Sequence, residues 1–181
     1  MDKFRVYRLR EADRQVLAGF GHRTIDELDP GEVTIRVAYS GVNYKDALAA
    51  TGAGRIIRRF PCVRGIDLAG TVVESSDARF AKGDAVLATS YDIGVAHDGG
   101  YGEYARIKAD WVGPMPKAMS LFDAMALGTA GFTAGLAVVR MEHEGLRPGG
   151  GPVAVTGATG GVGSIAVDIL AGLGHHVVAI T

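Results

Sequence analysis

The thirty residues from Pro152 to Thr181, PVAVTGATGGVGSIAVDILAGLGHHVVAIT, limit what this chain can fold into more than any other stretch. Val153, Ala154 and Val155 form a short apolar run of the kind carried by a fully buried parallel strand. A glycine-rich turn follows, Thr156-Gly157-Ala158-Thr159-Gly160-Gly161-Val162-Gly163. From Ser164 to Leu173, Ile165, Ile169 and Leu170 recur at helical spacing. Gly174 ends that helix, and Val177–Ile180 reads as a second buried strand. The order strand, turn, helix, strand is that of a nucleotide-binding crossover.

The glycines suggest the ligand. A dinucleotide pyrophosphate binds where free backbone N–H groups and the helix dipole meet its charge. A β-carbon on the turn would hold the phosphates away. Ala158-x-Gly160-x-x-Gly163 has the required spacing, with Ala158 at the first glycine position. A flexible loop is the alternative, but all four elements occur in order, which favours nucleotide binding. Ala158, Thr159, Gly160, Gly161, Val162 and Gly163 are therefore the expected cofactor residues. A dinucleotide fold takes about six parallel strands, and this stretch supplies two. The sequence is accordingly read as the N-terminal part of a longer protein.

Net charge is −1 and the isoelectric point about 6.5, so nothing marks a nucleic-acid or membrane-surface partner. The start, MDKFRVYRLRE, is too charged for a signal peptide, and no run of eighteen apolar residues occurs. A single cysteine, Cys62, excludes an intrachain disulfide and any all-cysteine metal site. The expected compartment is the cytoplasm.

Short alternating segments fill the first two-thirds. Phe4–Leu9 and Gln15–Phe20 read as a strand pair, Asp29-Pro30-Gly31-Glu32 as a turn, and Val33, Ile35 and Val37 as a strand. Asn43–Ala50 reads as a short helix, and Gly70–Glu74, Ala85–Thr89 and Tyr101–Lys108 as further strands. From Ser120 to Glu144 the pattern is helical, opened by the capping box Ser120-x-x-Asp123. The expectation is a small, largely antiparallel β domain over 1–119 and a helical connection over 120–151. The start of a doubly wound parallel sheet then occupies 152–181.

Four motifs occur in order: Gly41-Val42-Asn43-Tyr44-Lys45-Asp46, Gly65-Ile66-Asp67-Leu68-Ala69-Gly70, Gly99-Gly100-Tyr101-Gly102-Glu103-Tyr104 and Gly128-Thr129-Ala130-Gly131-Phe132-Thr133-Ala134. With the Gly-Gly-Val-Gly turn, they make the whole chain resemble the medium-chain dehydrogenase/reductase superfamily. The fold this implies is a GroES-like β domain followed by a Rossmann-type sheet. Asn43–Leu48, Arg55–Pro61 and Arg64–Asp67 narrow the resemblance to the quinone-oxidoreductase-like branch that includes NADPH-dependent acrylyl-CoA reductases. Zinc alcohol dehydrogenases of the superfamily place a cysteine where Asn43 stands and a histidine where Ile66 stands. Neither substitute is a good zinc ligand, so no metal is expected. Without a Lewis acid an alkoxide is hard to stabilise. Reduction of an electron-poor C=C bond needs only a hydride at the β-carbon and hydrogen bonds to the enolate oxygen.

Each candidate site residue also has a local reading. Asn43 is an expected N-cap with Asp46 at the third helical position. The resemblance also places Asn43 and Tyr44 along the nicotinamide and substrate cleft as catalytic groups. Thr129 and Thr133, four apart, either bond back along their helix or let the cofactor approach. Arg55, Arg58, Arg59 and Arg64 form a basic cluster, either a solvated face or a grip on coenzyme A phosphates, with Arg55, Arg58 and Arg59 the expected contacts. His175-His176 reads as a turn into the strand, His97-Asp98 as a loop, Cys62 as a buried small hydrophobe, and Asp67 as a holder of loop backbone. About twenty residues beyond the glycine turn, Val178–Thr181 carries no carboxylate for a ribose 2′-hydroxyl. Thr181 is available to a 2′-phosphate, so NADPH is the expected cofactor.

The resemblance implies an NADPH-dependent enoyl-CoA reductase, acting on acrylyl-CoA and homodimeric when full length. The alternatives are a quinone or small-enone reductase, or a non-catalytic NADPH-binding structural protein.

Overall fold

The computed structural model describes residues 3–54 and 56–181. The chain divides into two compact units, Met1–Gly128 and Thr129–Thr181.

In the first unit, strands β1 (Phe4–Ala12) and β2 (Gln15–Arg23) form the expected hairpin, paired from Phe4 opposite Arg23 to Ala12 opposite Gln15. Asp13 and Arg14 both take positive φ, 51° and 61°, the backbone a two-residue turn needs to follow the twist of its strands. A two-residue strand β4 (Cys62–Val63) adds to β1, giving the order β2-β1-β4. Phe4, Val6, Ile25, Leu28 and Val63 are buried beneath it.

The second sheet has the order β7-β3-β5-β6-β8, all pairs antiparallel. Its strands are β3 (Val33–Tyr39), β5 (Asp67–Ser75), β6 (Ala85–Thr89), β7 (Tyr104–Ile107) and β8 (Val112–Pro114). Alternation puts Val33, Ile35, Leu68, Val72, Val86 and Ile107 on one face, where they close with Phe80 and Ile93 over the main core. Full burial of each large aliphatic side chain contributes about 1.5–3 kcal/mol. Trp111 lies at the edge of this core. Its ring stacks on Tyr91 at 5.3 Å and 8°, meets the edge of His97 at 5.2 Å, and carries Lys108 Nζ 4.7 Å from its centroid.

Helix α1 (Tyr44–Thr51) leaves β3 through the loop Ser40–Asn43. Helix α2 (Leu121–His143) opens with the expected capping box: Ser120 Oγ donates to Asp123 Oδ2 at 2.6 Å and accepts from Asp123 N–H at 3.1 Å. This run is long and apolar enough, by composition, to cross a membrane. It is interrupted at Gly128, whose φ of 50° and ψ of −149° are not helical. Each piece is shorter than the ~20 residues a membrane span takes.

In the second unit, β9 (Val153–Thr156) and β10 (Val177–Ile180) pair in parallel, Val153 opposite Val177. They are joined by α3 (Gly161–Gly172), which begins three residues before the expected Ser164, inside the glycine turn. The two strands are not fully buried as expected. Val153 and Val155 are half-buried, while Ala154, Thr156, Val178 and Ile180 are exposed. A two-stranded sheet packed on one helix has one covered face; β9 alternates accordingly, while β10 is half-buried only at Val177.

Candidate active site

Asp67, the first residue of β5, is completely buried and organises the first unit's site. Its Oδ1 accepts from Gly41 N–H at 2.7 Å and its Oδ2 from Asn43 Nδ2 at 3.0 Å. Its carbonyl accepts from Ser40 Oγ at 2.6 Å. Glycine is needed around it: a β-carbon at Gly41 would lie 2.8 Å from Oδ1, and one at Gly128 2.7 Å from Oδ2. Asn43 has the extended backbone of an N-cap and forms the expected capping box with Asp46, whose Oδ2 accepts from Asn43 N–H at 2.9 Å. Tyr44, the first helical residue, is 80% exposed.

Arg64, expected in the basic cluster, instead forms a buried ion pair with the first turn of α1. Arg64 is 0% exposed and joins Asp46 Oδ1 at 2.7 Å. It also donates to the carbonyls of Lys45 and Gly94, and its Nε has no partner. Arg64 thus cannot meet a coenzyme. It ties the N-terminus of α1 to the Gly94 loop. Tyr101 donates to Gly41 O at 3.0 Å. Burial, reinforced by the Asp46 carboxylate, pushes its phenol well above the usual range. Beside Ser40 and Tyr101 opens a recess of about 540 Å³, lined by Val6, Tyr7, Phe20, Val37 and Tyr39.

The expected loop at His97-Asp98 is a buried hydrogen-bonded junction. His97 bonds to the carbonyls of Asp98 and Pro30. Asp98 accepts from Val63 N–H at 2.7 Å and Asp29 N–H at 3.2 Å, and burial raises its pKa. Cys62 is buried, as expected, and burial pushes its thiol up to about 12. At pH 8 its thiolate fraction is on the order of one in ten thousand, so iodoacetamide is expected to leave the native protein unlabelled. Labelling that matches the rate of a free thiol, followed by mass spectrometry without denaturant, would contradict the burial.

In the second unit the glycine turn presents donors. No side chain caps α3, and its first hydrogen bond runs from Ser164 N–H to Gly160 O at 2.8 Å. The N–H groups of Gly161, Val162 and Gly163 thus have no acceptor among the described contacts. Gly163 is required by the fold: a β-carbon there would strike the carbonyl of Gly157 and come within 2.9 Å of Ala158 Cα. At Gly160 and Gly161 the nearest atoms would be 3.3 Å away. A β-carbon at those two positions would be tight but would need a shift of only a few tenths of an ångström. Thr159, Gly160, Gly161 and Val162 are exposed, whereas Ala158 is buried and its N–H is engaged by Ile180 O at 3.2 Å. Ala158 and Gly160, whose N–H bonds to Gly157 O at 2.9 Å, shape the turn and offer no free donor, unlike Gly161, Val162 and Gly163.

Residues 29–117 match the alcohol dehydrogenase GroES-like domain family. The putative quinone oxidoreductase YhfP of Bacillus subtilis is 56% identical over 156 residues, 86% of this chain and 47% of that protein. A structure of B. subtilis yhfP with NAD bound has a TM-score of 0.96 at 50% identity, covering 99% of this chain and 54% of that one. The acrylyl-CoA reductase AcuI of Ruegeria pomeroyi is 53% identical over 158 residues, 87% of this chain and 48% of that protein. The yhdH oxidoreductase of Salmonella enterica, crystallised with NADP, has a TM-score of 0.96 at 48% identity, covering 98% of this chain and 55% of that one. This chain belongs to the medium-chain dehydrogenase/reductase superfamily. It spans about half the length of the curated relatives it matches.

Zinc, which the alcohol dehydrogenases of the superfamily use, does not fit the residues present. Asn43 turns its amide nitrogen to a carboxylate, Ile66 is buried and has no lone pair, and Cys62 is buried against backbone carbonyls. A dinucleotide does fit: at the open end of α3 three N–H groups have no acceptor among the described contacts, beside two glycines that are far less crowded than Gly163.

Thr133 Oγ1 donates to Thr129 O at 2.7 Å, the back-bonded arrangement. Arg58 is exposed and pairs with Asp92 at 3.0 Å, and Arg59 pairs with Asp29. A phosphate would have to compete with these carboxylates, most readily at the exposed Arg58 pair, because such pairs contribute only about 0–1 kcal/mol. Arg55 lies outside the described residues. Thr181 is exposed at the end of β10.

Proposed function

We propose that the full-length protein reduces the C=C bond of an enoyl-CoA with NADPH, converting acrylyl-CoA to propionyl-CoA. The observation that carries this reading is the donor set around Asp67. The position that would hold a metal ligand holds a fixed amide, Asn43, with an exposed phenol, Tyr44, next to it. Hydrogen-bond donors suffice to hold the enolate oxygen of a thioester once hydride reaches its β-carbon. Bound nicotinamide supplies that hydride, and a proton at the α-carbon completes the reduction, with NADP⁺ as the other product. Asn43 and Tyr44 are assigned to the thioester carbonyl, Thr129 and Thr133 to the cofactor's approach, and Thr159–Gly163 to its phosphates. Thr181 is assigned to the 2′-phosphate and Arg58, Arg59 and Arg55 to coenzyme A. The relative named acrylyl-CoA reductase supports the substrate class. The NADP-bound relative and the absence of a carboxylate at the end of β10 support NADPH over NADH. A cytoplasmic location accords with that cofactor.

A second reading, a quinone reductase, is favoured by the name of the B. subtilis relative and by the aromatic recess of Tyr7, Phe20, Tyr39 and Tyr101. The deciding experiment follows NADPH oxidation by the full-length protein with acrylyl-CoA and with benzoquinone. The proposal expects kcat/KM for acrylyl-CoA to exceed that for the quinone at least about tenfold. Arg58→Ser is expected to raise KM for acrylyl-CoA several-fold while leaving that for the quinone unchanged. Turnover of the quinone alone establishes the second reading.

A further inference from the structure

The geometry points to Asp67 as a positioning residue that makes Asn43 a hydrogen-bond donor to the substrate, an inference that rests on the reading of Asn43 given above. A carboxylate can only accept, so the partner of Asp67 Oδ2 at 3.0 Å has to be the NH2 end of Asn43. The carbonyl end faces the first turn of α1 in the capping-box arrangement, where the Asp46 N–H bonds to the Asn43 backbone carbonyl at 2.9 Å. The second N–H of the amide is uncommitted among the described contacts, and its direction is set by the bond to Asp67. An amide turned the other way would offer a lone pair instead, which repels a developing enolate.

Asp67 itself has little freedom to adjust. It is fully buried, its second oxygen is bound to Gly41 N–H at 2.7 Å, and its carbonyl is bound to Ser40 Oγ. Gly41 and Gly128 crowd the carboxylate so closely that neither tolerates a β-carbon. Gly100 does the same on the carbonyl side, where a β-carbon would strike Asp67 O and lie 2.8 Å from Ser40 Oγ. Three other segments of chain, the Ser40–Asn43 loop, Gly100 and Gly128, close on this one residue, and the outcome is the orientation of one amide.

Asp67→Asn tests the polarity. It has the same shape, but with one oxygen still needed by Gly41 N–H, its NH2 must face Asn43, and two donors meet. The Asn43 amide is expected to turn over, with loss of about 100-fold in kcat/KM for the enoyl thioester and unchanged KM for NADPH. The exchanged pair Asn43→Asp with Asp67→Asn restores the bonds to Gly41 N–H and between the two side chains and keeps a good N-cap residue, but removes the donor. Its melting temperature is expected to recover and its kcat/KM to stay low. Asn43→Ser, which keeps a cap and lacks the amide, is expected to match it. Recovery of activity together with stability in the exchanged pair, or wild-type turnover in Asn43→Ser, overturns the inference. A further readout needs no substrate. The side-chain amide resonances of Asn43 are expected to shift in Asp67→Asn, and unchanged resonances count against the inference. A wild-type enzyme with no enoyl-CoA activity defeats the proposed function instead, and these resonances then still report whether Asp67 orients the amide.

Discussion

Asp46→Ala is expected to lower stability by about 3–5 kcal/mol, the loss that follows when one partner of a buried ion pair is removed. Arg64 is wholly buried, and Asp46 is its one ion-pair partner among the described residues. The same substitution removes the acceptor for Asn43 N–H and with it half of the cap of α1. The melting temperature of the first unit should fall by about 10 °C or more. Replacing both partners by apolar residues of similar volume, Asp46→Leu with Arg64→Met, should cost much less, because no charge is left stranded. Thermal unfolding of the three proteins distinguishes the cases. A single substitution no worse than the double would mean that Arg64 reaches solvent.

Gly163→Ala has the largest expected effect on cofactor binding. A methyl group there meets the backbone of Gly157 and Ala158, so α3 must shift off the turn, at about 1–3 kcal/mol. Misplacing even one N–H that bonds a phosphate removes about 1.5–3 kcal/mol, which is about tenfold or more in NADPH affinity. Gly160→Ala provides the contrast. Its methyl comes no closer than 3.3 Å to Gly157 O, a crowding that a shift of a few tenths of an ångström relieves, so folding should suffer far less than in Gly163→Ala while affinity still falls, because the methyl stands on the open face of the turn. Fluorescence titration of the full-length variants with NADPH measures both. Equal affinity in Gly160→Ala and wild type would remove the turn from the cofactor site.

Features with a local cause were legible in the sequence. Both capping boxes, Asn43 with Asp46 and Ser120 with Asp123, depend on residues three apart, and both formed. The alternation of Val33, Ile35 and Val37 marked β3, and the spacing of the glycines located the end of α3 to within a turn. What escaped depends on partners distant in the chain. Arg64 looks like any member of a basic run until Asp46, eighteen positions earlier, is seen beneath the same helix. His97 and Asp98 are buried because Pro30, Asp29 and Val63 come to them. Strands β4 and β8 are two and three residues long and carry no periodicity to detect. The break at Gly128 had one signal, a glycine inside an apolar helical run, and the reason for it is the carboxylate of Asp67. The role of Asp67 as a holder of backbone was anticipated, but its grip on the Asn43 side chain was not.

Trp111 is the only tryptophan in the chain, and every tyrosine lies before Gly128. The aromatic content of the second unit is a single Phe132. Intrinsic emission and near-ultraviolet dichroism therefore report on the β unit alone and are blind to the nucleotide unit. Far-ultraviolet dichroism also registers α3 and the C-terminal stretch of α2. A melt followed by both signals would separate two transitions without any label. Asp46→Ala should move the emission curve, and Gly163→Ala should move only the helical signal.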